Sequence, residues 1–271
     1  MAFSTLPGPA GHLHVDDGGQ GGTPVVFLHS FSGNTAHWSA QLAHLRPQRR
    51  AVALDLRAHG RSERPKDPAK YTIEQMAGDV AAVVNTLRLD HFVLVGHSIG
   101  GAVAIAFAAA HPDRVAGLLL VGIPGKVPEE QAQQILAAMA ADYDGTMRPY
   151  WDKLMRGAQP KVRRVLIREM QAVPKDVGLA LIKATFDFDP VPGLTAYPGP
   201  KLAITTDQLD QPFDLHKLVP DLPHKRIAGT SHWPHMDKPD PFNALLDEFL
   251  KSATRFGTSV PVEEPPRRRA G

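Results

Sequence analysis

Val93-Leu94-Val95-Gly96-His97-Ser98-Ile99-Gly100-Gly101-Ala102-Val103-Ala104-Ile105-Ala106-Phe107-Ala108-Ala109-Ala110 decides the fold. Residues 92–95 are continuously apolar, as a strand covered on both faces of a parallel sheet must be. Gly96, Ser98 and Gly100 follow at G-x-S-x-G spacing, the mark of a strained strand-to-helix turn that lifts a serine above the sheet edge. The glycines have a steric reason. A β-carbon two residues before or after that serine would collide with the bend. Gly101, Ala102, Ala104, Ala106 and Ala108 make a small-residue helix that can pack close to a sheet. Its N-terminus aims free N–H groups and a positive dipole end at whatever Ser98 attacks. The pentad alone is a weak signal; the strand before it and the helix after it supply its weight.

Outward from this turn, residues 25–28, 51–55 and 118–121 read as further buried strands, with a first strand at 12–15. Residues 18–22, rich in glycine, read as a turn or hairpin region. Trp38, Leu42 and Leu45 form one helical stripe. Thr72-Ile73-Glu74-Gln75 is a capping box, with Tyr71 and Met76 placed as a hydrophobic staple, and its helix runs on through Val80, Val83, Val84 and Leu87. Strands and helices therefore alternate from residue 25 to 121. That order predicts a mostly parallel sheet with helices on both faces.

From residue 126 to 195 the pattern turns wholly helical, with stretches at 129–143, 149–154, 161–173 and 176–186. This predicts a helical cap inserted into a core formed by residues 1–125 and 196–252. Strand patterning returns at 201–205 and 225–228. A last helix opens with Asp240 as N-cap and Pro241 as first helical residue. Residues 253–271, ending in Pro265-Pro266-Arg267-Arg268-Arg269, read as a disordered tail.

Composition narrows the function. The 271 residues are 43% hydrophobic and 21% charged with a formal net charge of +2, ordinary for a globular protein and without a basic face for nucleic acid. The sequence has no cysteine, which excludes disulfides, thiolate metal sites and a cysteine nucleophile. A His-x-x-x-His pair on a helix is also missing, so no metal or other cofactor is expected. The first ten residues lack a basic stretch and an apolar core, and the apolar run at 102–110 is too short to span a membrane. The expectation is a soluble cytoplasmic chain, monomer or homodimer, acting on a small molecule.

Four segments occur together in a telling order: Leu28-His29-Ser30-Phe31, Asp55-Leu56-Arg57-Ala58-His59-Gly60-Arg61-Ser62, Gly96-His97-Ser98-Ile99-Gly100-Gly101, and the run from Gly229 through Ser231-His232-Trp233-Pro234-His235 to Pro239. In these the chain resembles the α/β-hydrolase superfamily, specifically its compact bacterial esterase-like members, over residues 10–125 and 197–252. The resemblance implies an α/β fold with an eight-stranded sheet, a cap between strands six and seven, and a Ser…acid…His triad.

Ser98 is the candidate nucleophile, and a hydroxyl needs a base within reach. The family pattern, G-x-x-H before a proline-initiated helix, points to His232; His235 is the decoy. By resemblance, the acid that orients the imidazole belongs just after strand seven. There Asp210 is the first choice, with one extra residue in the loop, and Asp207 the alternative. The oxyanion donors are the Ile99 N–H, next to the nucleophile, and by resemblance the Phe31 N–H. Ser30 stands where the family commonly has glycine. Ser30, His97, Trp151 and Trp233 are candidate substrate contacts, with His97 turned into the structure around the elbow. His29 ties its loop down. Asp55, Arg57 and His59 read as turn and ion-pair residues.

These features predict a serine hydrolase of small carboxylic esters or lactones working through an acyl-enzyme. The same triad also suits a C–C bond hydrolase, a perhydrolase or a lyase, or a slow-turnover ligand receptor. Serine at position 98 argues against the carboxylate-nucleophile chemistry of dehalogenases and epoxide hydrolases.

Overall fold

The computed structural model describes residues 2–208 and 211–257. Among them eight strands form one sheet: β1 (Ala2–Gly8), β2 (Gly11–Gly18), β3 (Val25–Leu28), β4 (Ala51–Leu54), β5 (Phe92–His97), β6 (Val115–Val121), β7 (Lys201–Thr205) and β8 (His224–Arg226). Their spatial order is β1-β2-β4-β3-β5-β6-β7-β8. β1 pairs with β2, and β2 with β4, antiparallel; every other pairing is parallel.

The unbroken apolar runs of β3, β4 and β5 split by the two-residue period of a strand. Val26, Leu28, Val52, Leu54 and Leu94 enter one core with α2 (Ile73–Thr86) and α3 (Ile99–Ala110). Val25, Phe27, Ala51, Ala53, Val93 and Val95 enter the other with α1 (Ser39–Leu45). Burying each such Val, Leu or Phe contributes about 1.5–3 kcal/mol. Both faces are thereby covered, and the C-terminal strand ends are left to carry chemistry. Thr72 Oγ1 accepts from the Gln75 N–H, as the capping box requires. The Gln75 side chain is spent elsewhere, accepting from Arg57.

Between β6 and β7 lie the cap helices α4 (Glu129–Ala141), α5 (Tyr143–Leu154), α6 (Pro160–Ala172), α7 (Lys175–Asp187) and α8 (Pro190–Ala196). The chain closes through α9 (Leu215–Leu218), α10 (Pro234–Asp237) and α11 (Pro239–Gly257). Met139, Tyr143 and Met147 form one small core of the cap, and Leu154, Val162, Leu166 and Met170 another that reaches Trp233.

Several details differ from the sequence reading. β1 is an additional edge strand, hairpinned to β2 through Pro9 and Ala10, and the glycines at 18–22 instead link β2 to β3. Pro149 sits inside α5 rather than at its start. The last helix begins at Pro239, after the separate turn α10, and runs through Gly257, beyond the boundary expected at 253. Among the described residues no helix is long and apolar enough to cross a membrane.

Candidate active site

Ser98 joins β5 to α3 with φ 52° and ψ −120°. Such a backbone costs a residue with a β-carbon about 1–3 kcal/mol and persists only where its surroundings enforce it. They do so here. The Ser98 N–H donates to Val121 O at 2.9 Å, and the Ser98 carbonyl accepts from the Gly101 and Ala102 N–H groups. A β-carbon on Gly96 would run into the Gly100 and Gly101 backbone, and one on Gly100 into the Leu28 and His29 carbonyls. Ser98 thus stands at the N-terminus of α3, where orphan N–H groups and the dipole favour negative charge.

The loop after β3 faces this turn. His29 is fully buried, its Nδ1–H donating to Ser30 O at 2.7 Å while its Nε2 accepts from the Leu56 N–H at 2.9 Å. Burial pushes its pKa down to about 3. His29 is therefore a neutral clamp holding the loop in place. Among the described residues, neither the Phe31 nor the Ile99 N–H has a hydrogen-bond partner.

His232 follows β8 in a segment with little freedom. Thr230 Oγ1 donates to Ile227 O, and the Ser231 N–H and hydroxyl both donate to Asp237 Oδ2. The imidazole packs against the His97 ring at 4.7 Å and the Trp233 ring at 5.1 Å between centroids. Gly122, at φ +55°, lies against it; a β-carbon there would come within 2.8 Å of His232 Cε1. Burial lowers the His232 pKa to about 3, so the ring is neutral at neutral pH and able to take a proton. Its Nδ1 is buried and has no hydrogen-bond partner among the described residues.

Ser98 and His232 line one cavity of about 300 Å³ together with Phe31, Ile99, Trp151 and Trp233. Ser30 lines it too, but its hydroxyl accepts from Trp233 Nε1–H at 3.0 Å. Apart from His232, the one ionisable lysine or carboxylate side chain on the wall among the described residues is Lys153. His97 is not on the wall. It is wholly buried behind His232, wedged also against Trp233 and His235, and burial holds its pKa well below the ordinary value. His97 thus packs behind His232, and the expected substrate contact at His97 is not met on the cavity wall. His235 stacks on Trp38 at 4.1 Å, away from the cavity wall.

Of the two acid candidates, Asp210 lies outside the described residues. Asp207 is exposed and ion-paired with Arg226 on β8. The structure does not bring Asp207 to His232. Asp55 and Arg57 are spent on architecture. Asp55 accepts from the Thr35 and Arg61 N–H groups, and Arg57 grips Asp79 through two 2.6 Å bonds. His59 is fully buried with its Nδ1–H donating to Arg57 O.

Sequence reasoning missed how the cap grips this site. The His232 N–H donates to the Leu154 carbonyl at the end of α5. Gln208 Nε2 donates to Arg156 O at 2.8 Å and Thr230 O at 2.9 Å. Gln159 N–H, at the start of α6, donates to Asp237 Oδ1 at 2.8 Å. On the far side, Glu169 of α6 accepts from Asn34 Nδ2 at 2.7 Å and His37 Nε2 at 2.6 Å. Those last two residues stand just beyond the Ser30-Phe31 loop. No group of three or more potential metal ligands is found among the described residues.

A family model described as alpha/beta hydrolase fold matches residues 23–149. A Bacillus subtilis (strain 168) protein provisionally named 2-succinyl-6-hydroxy-2,4-cyclohexadiene-1-carboxylate synthase is 26% identical, covering 88% of this chain and 94% of its own. Among solved structures, Est816, described as an N-acyl homoserine lactone degrading enzyme, superposes with a TM-score of 0.74 at 26% identity, over 91% of this chain and 100% of its own. A thermophilic esterase from Thermogutta terrifontis does so with a TM-score of 0.75 at 25% identity, over 93% and 99%.

Proposed function

Because the chain belongs to the α/β-hydrolase superfamily, we propose that it is a serine hydrolase cleaving small carboxylic esters or lactones through an acyl-enzyme. One observation carries the reading. A serine in a strained turn at a helix N-terminus shares an apolar cavity with a buried, neutral histidine. Likeness to a lactone-degrading enzyme and to an esterase supports the substrate class.

Ser98 Oγ attacks the substrate carbonyl while His232 takes the hydroxyl proton. The Ile99 and Phe31 N–H groups receive the oxyanion, each donor worth about 10² to 10³ in rate. The tetrahedral adduct collapses, and His232 returns the proton to the departing alkoxide. Water then repeats the attack on the acyl-serine, releasing the acid and restoring Ser98. As His232 becomes charged, its Nδ1–H needs an anionic partner. A buried Nδ1 without a partner among the described residues, and an Asp207 already engaged by Arg226, support Asp210 as that acid. Ser30 and Trp233 shape the wall beside the scissile group, and Trp151 the wall of the cap. A cytoplasmic location and a monomeric or homodimeric state belong to the same proposal and rest on the sequence.

A fluorophosphonate probe with a panel of nitrophenyl esters tests the proposal. Turnover and labelling that both vanish in Ser98→Ala support it; esters hydrolysed equally by wild type and Ser98→Ala would overturn it. Labelling without ester turnover would favour a different scissile bond, a reading that the likeness to the Bacillus subtilis synthase keeps in view, or a ligand receptor.

A further inference from the structure

We propose that Gln208 is a positioning residue that locks the cap to the loop carrying the base, so that cap and base move as one unit. The inference rests on the serine-hydrolase reading for its kinetic part and on geometry alone for its structural part. Gln208 follows β7, between the two acid candidates, and is 7% exposed. Its amide nitrogen has two donors, and both are used: one on Arg156 O in the turn between α5 and α6, one on Thr230 O two residues before His232. Those demands fix the amide's orientation. Turned over, Oε1 would face two carbonyl oxygens.

The two carbonyls are otherwise hard to satisfy. Arg156 lies just past the C-terminus of α5, where helix geometry leaves acceptors without partners. The neighbouring Leu154 carbonyl is answered by the His232 N–H itself, at 2.9 Å. One side chain from the core and one N–H from the base loop therefore close the same helix end. Asp237 completes the seam, its carboxylate shared between the Gln159 N–H at the start of α6 and Ser231, next to the base. A carboxylate at a helix N-terminus is favoured by the dipole. A base held this way keeps its place only while 154–159 keeps its own, and displacement by about 1 Å can cost about 10² in rate.

The test uses the whole chain and three readouts: steady-state hydrolysis of a nitrophenyl ester, the rate of fluorophosphonate labelling, and amide hydrogen exchange at His232. Gln208→Leu keeps the volume and removes the donors. It is expected to lower kcat and the labelling rate about tenfold while KM stays within about twofold, and to speed exchange of the His232 N–H. Gln208→Glu sets a carboxylate against two carbonyls and is expected to do more of the same. If Gln208→Leu does not fold, Gln208→Glu carries all three readouts. A folded variant with wild-type kcat, labelling and exchange overturns the proposal. A wild type that takes no phosphonate would bring down the serine reading instead, and exchange at His232 then decides the coupling alone.

Discussion

The N–H of His232 donates to the Leu154 carbonyl across 2.9 Å, so the proposed base hangs from the end of a cap helix. The imidazole is held from three sides: by α5 through its own backbone, by His97 from behind, and by the Gly122 backbone.

Gly122→Ala tests the third support. The new methyl group would press on the imidazole, and φ +55° disfavours any β-carbon. A stability loss of about 1 kcal/mol or somewhat more is expected from the backbone, and a loss of about 10² in kcat from the displaced ring. Thermal melts and ester kinetics on one preparation separate the two effects. An alanine variant with unchanged kcat would show that the ring does not depend on this contact.

Glu169→Ala removes the far latch of the cap. It leaves the buried His37 donor and the half-buried Asn34 donor without acceptors, at a cost of about 1–3 kcal/mol. Because those residues stand next to the loop bearing Phe31, kcat should fall along with the melting temperature. Wild-type kcat in a destabilised variant would limit the latch to a structural role.

Replacing the two acid candidates should give opposite results. Asp210→Asn is expected to lower kcat by about 10⁴, the effect of an imidazole left with the wrong tautomer. Asp207→Asn breaks an exposed ion pair and should change stability by no more than about 1 kcal/mol, with activity intact. The reverse pattern would transfer the role to Asp207.

Acid should weaken both activity and fold. His29, His59 and His232 have pKa values pushed down to about 3 by burial, and burial holds His97 and His235 well below the ordinary range. A histidine depressed in the folded state takes up protons in the unfolded chain first. Stability is then full above about pH 6.5 and is lost as pH falls from there toward 3, at about 1.4 kcal/mol per pH unit for each ring. Urea midpoints measured from pH 7.5 to 4.5 should drop accordingly. The acid limb of kcat/KM should lie below the ordinary histidine value, and a limb at or above 6.5 would contradict the buried, neutral base.

Local chemistry was legible wherever side chains dictate backbone. The turn at Ser98, the Thr72 cap and strand 201–205 could be read because glycine sterics, a capping hydroxyl and an apolar run each act over a few residues. β1 escaped because an edge strand needs no unbroken apolar run and tolerates Pro7, which reads as a breaker. α8 escaped for a related reason, since Pro190 and Pro192 lie within its seven residues. The seam between cap and base escaped because most of its atoms are main chain. The Leu154 and Arg156 carbonyls leave no trace in residue type, and Gln208 looks like any loop glutamine until the fold sets two acceptors before it. His97 turns into the structure around the elbow as its place in the motif implies, but it packs on His232 and does not line the cavity, so the expected substrate contact there is not met.

Leu154 also sets a condition for anyone who redesigns this protein by exchanging its lid for that of another hydrolase. Such a graft would bring a new selectivity filter and, in the same cut, unhook the imidazole from its peg. Chimaeras spliced outside 154–159 should retain turnover, and those spliced within it should fold into well-formed but nearly silent scaffolds.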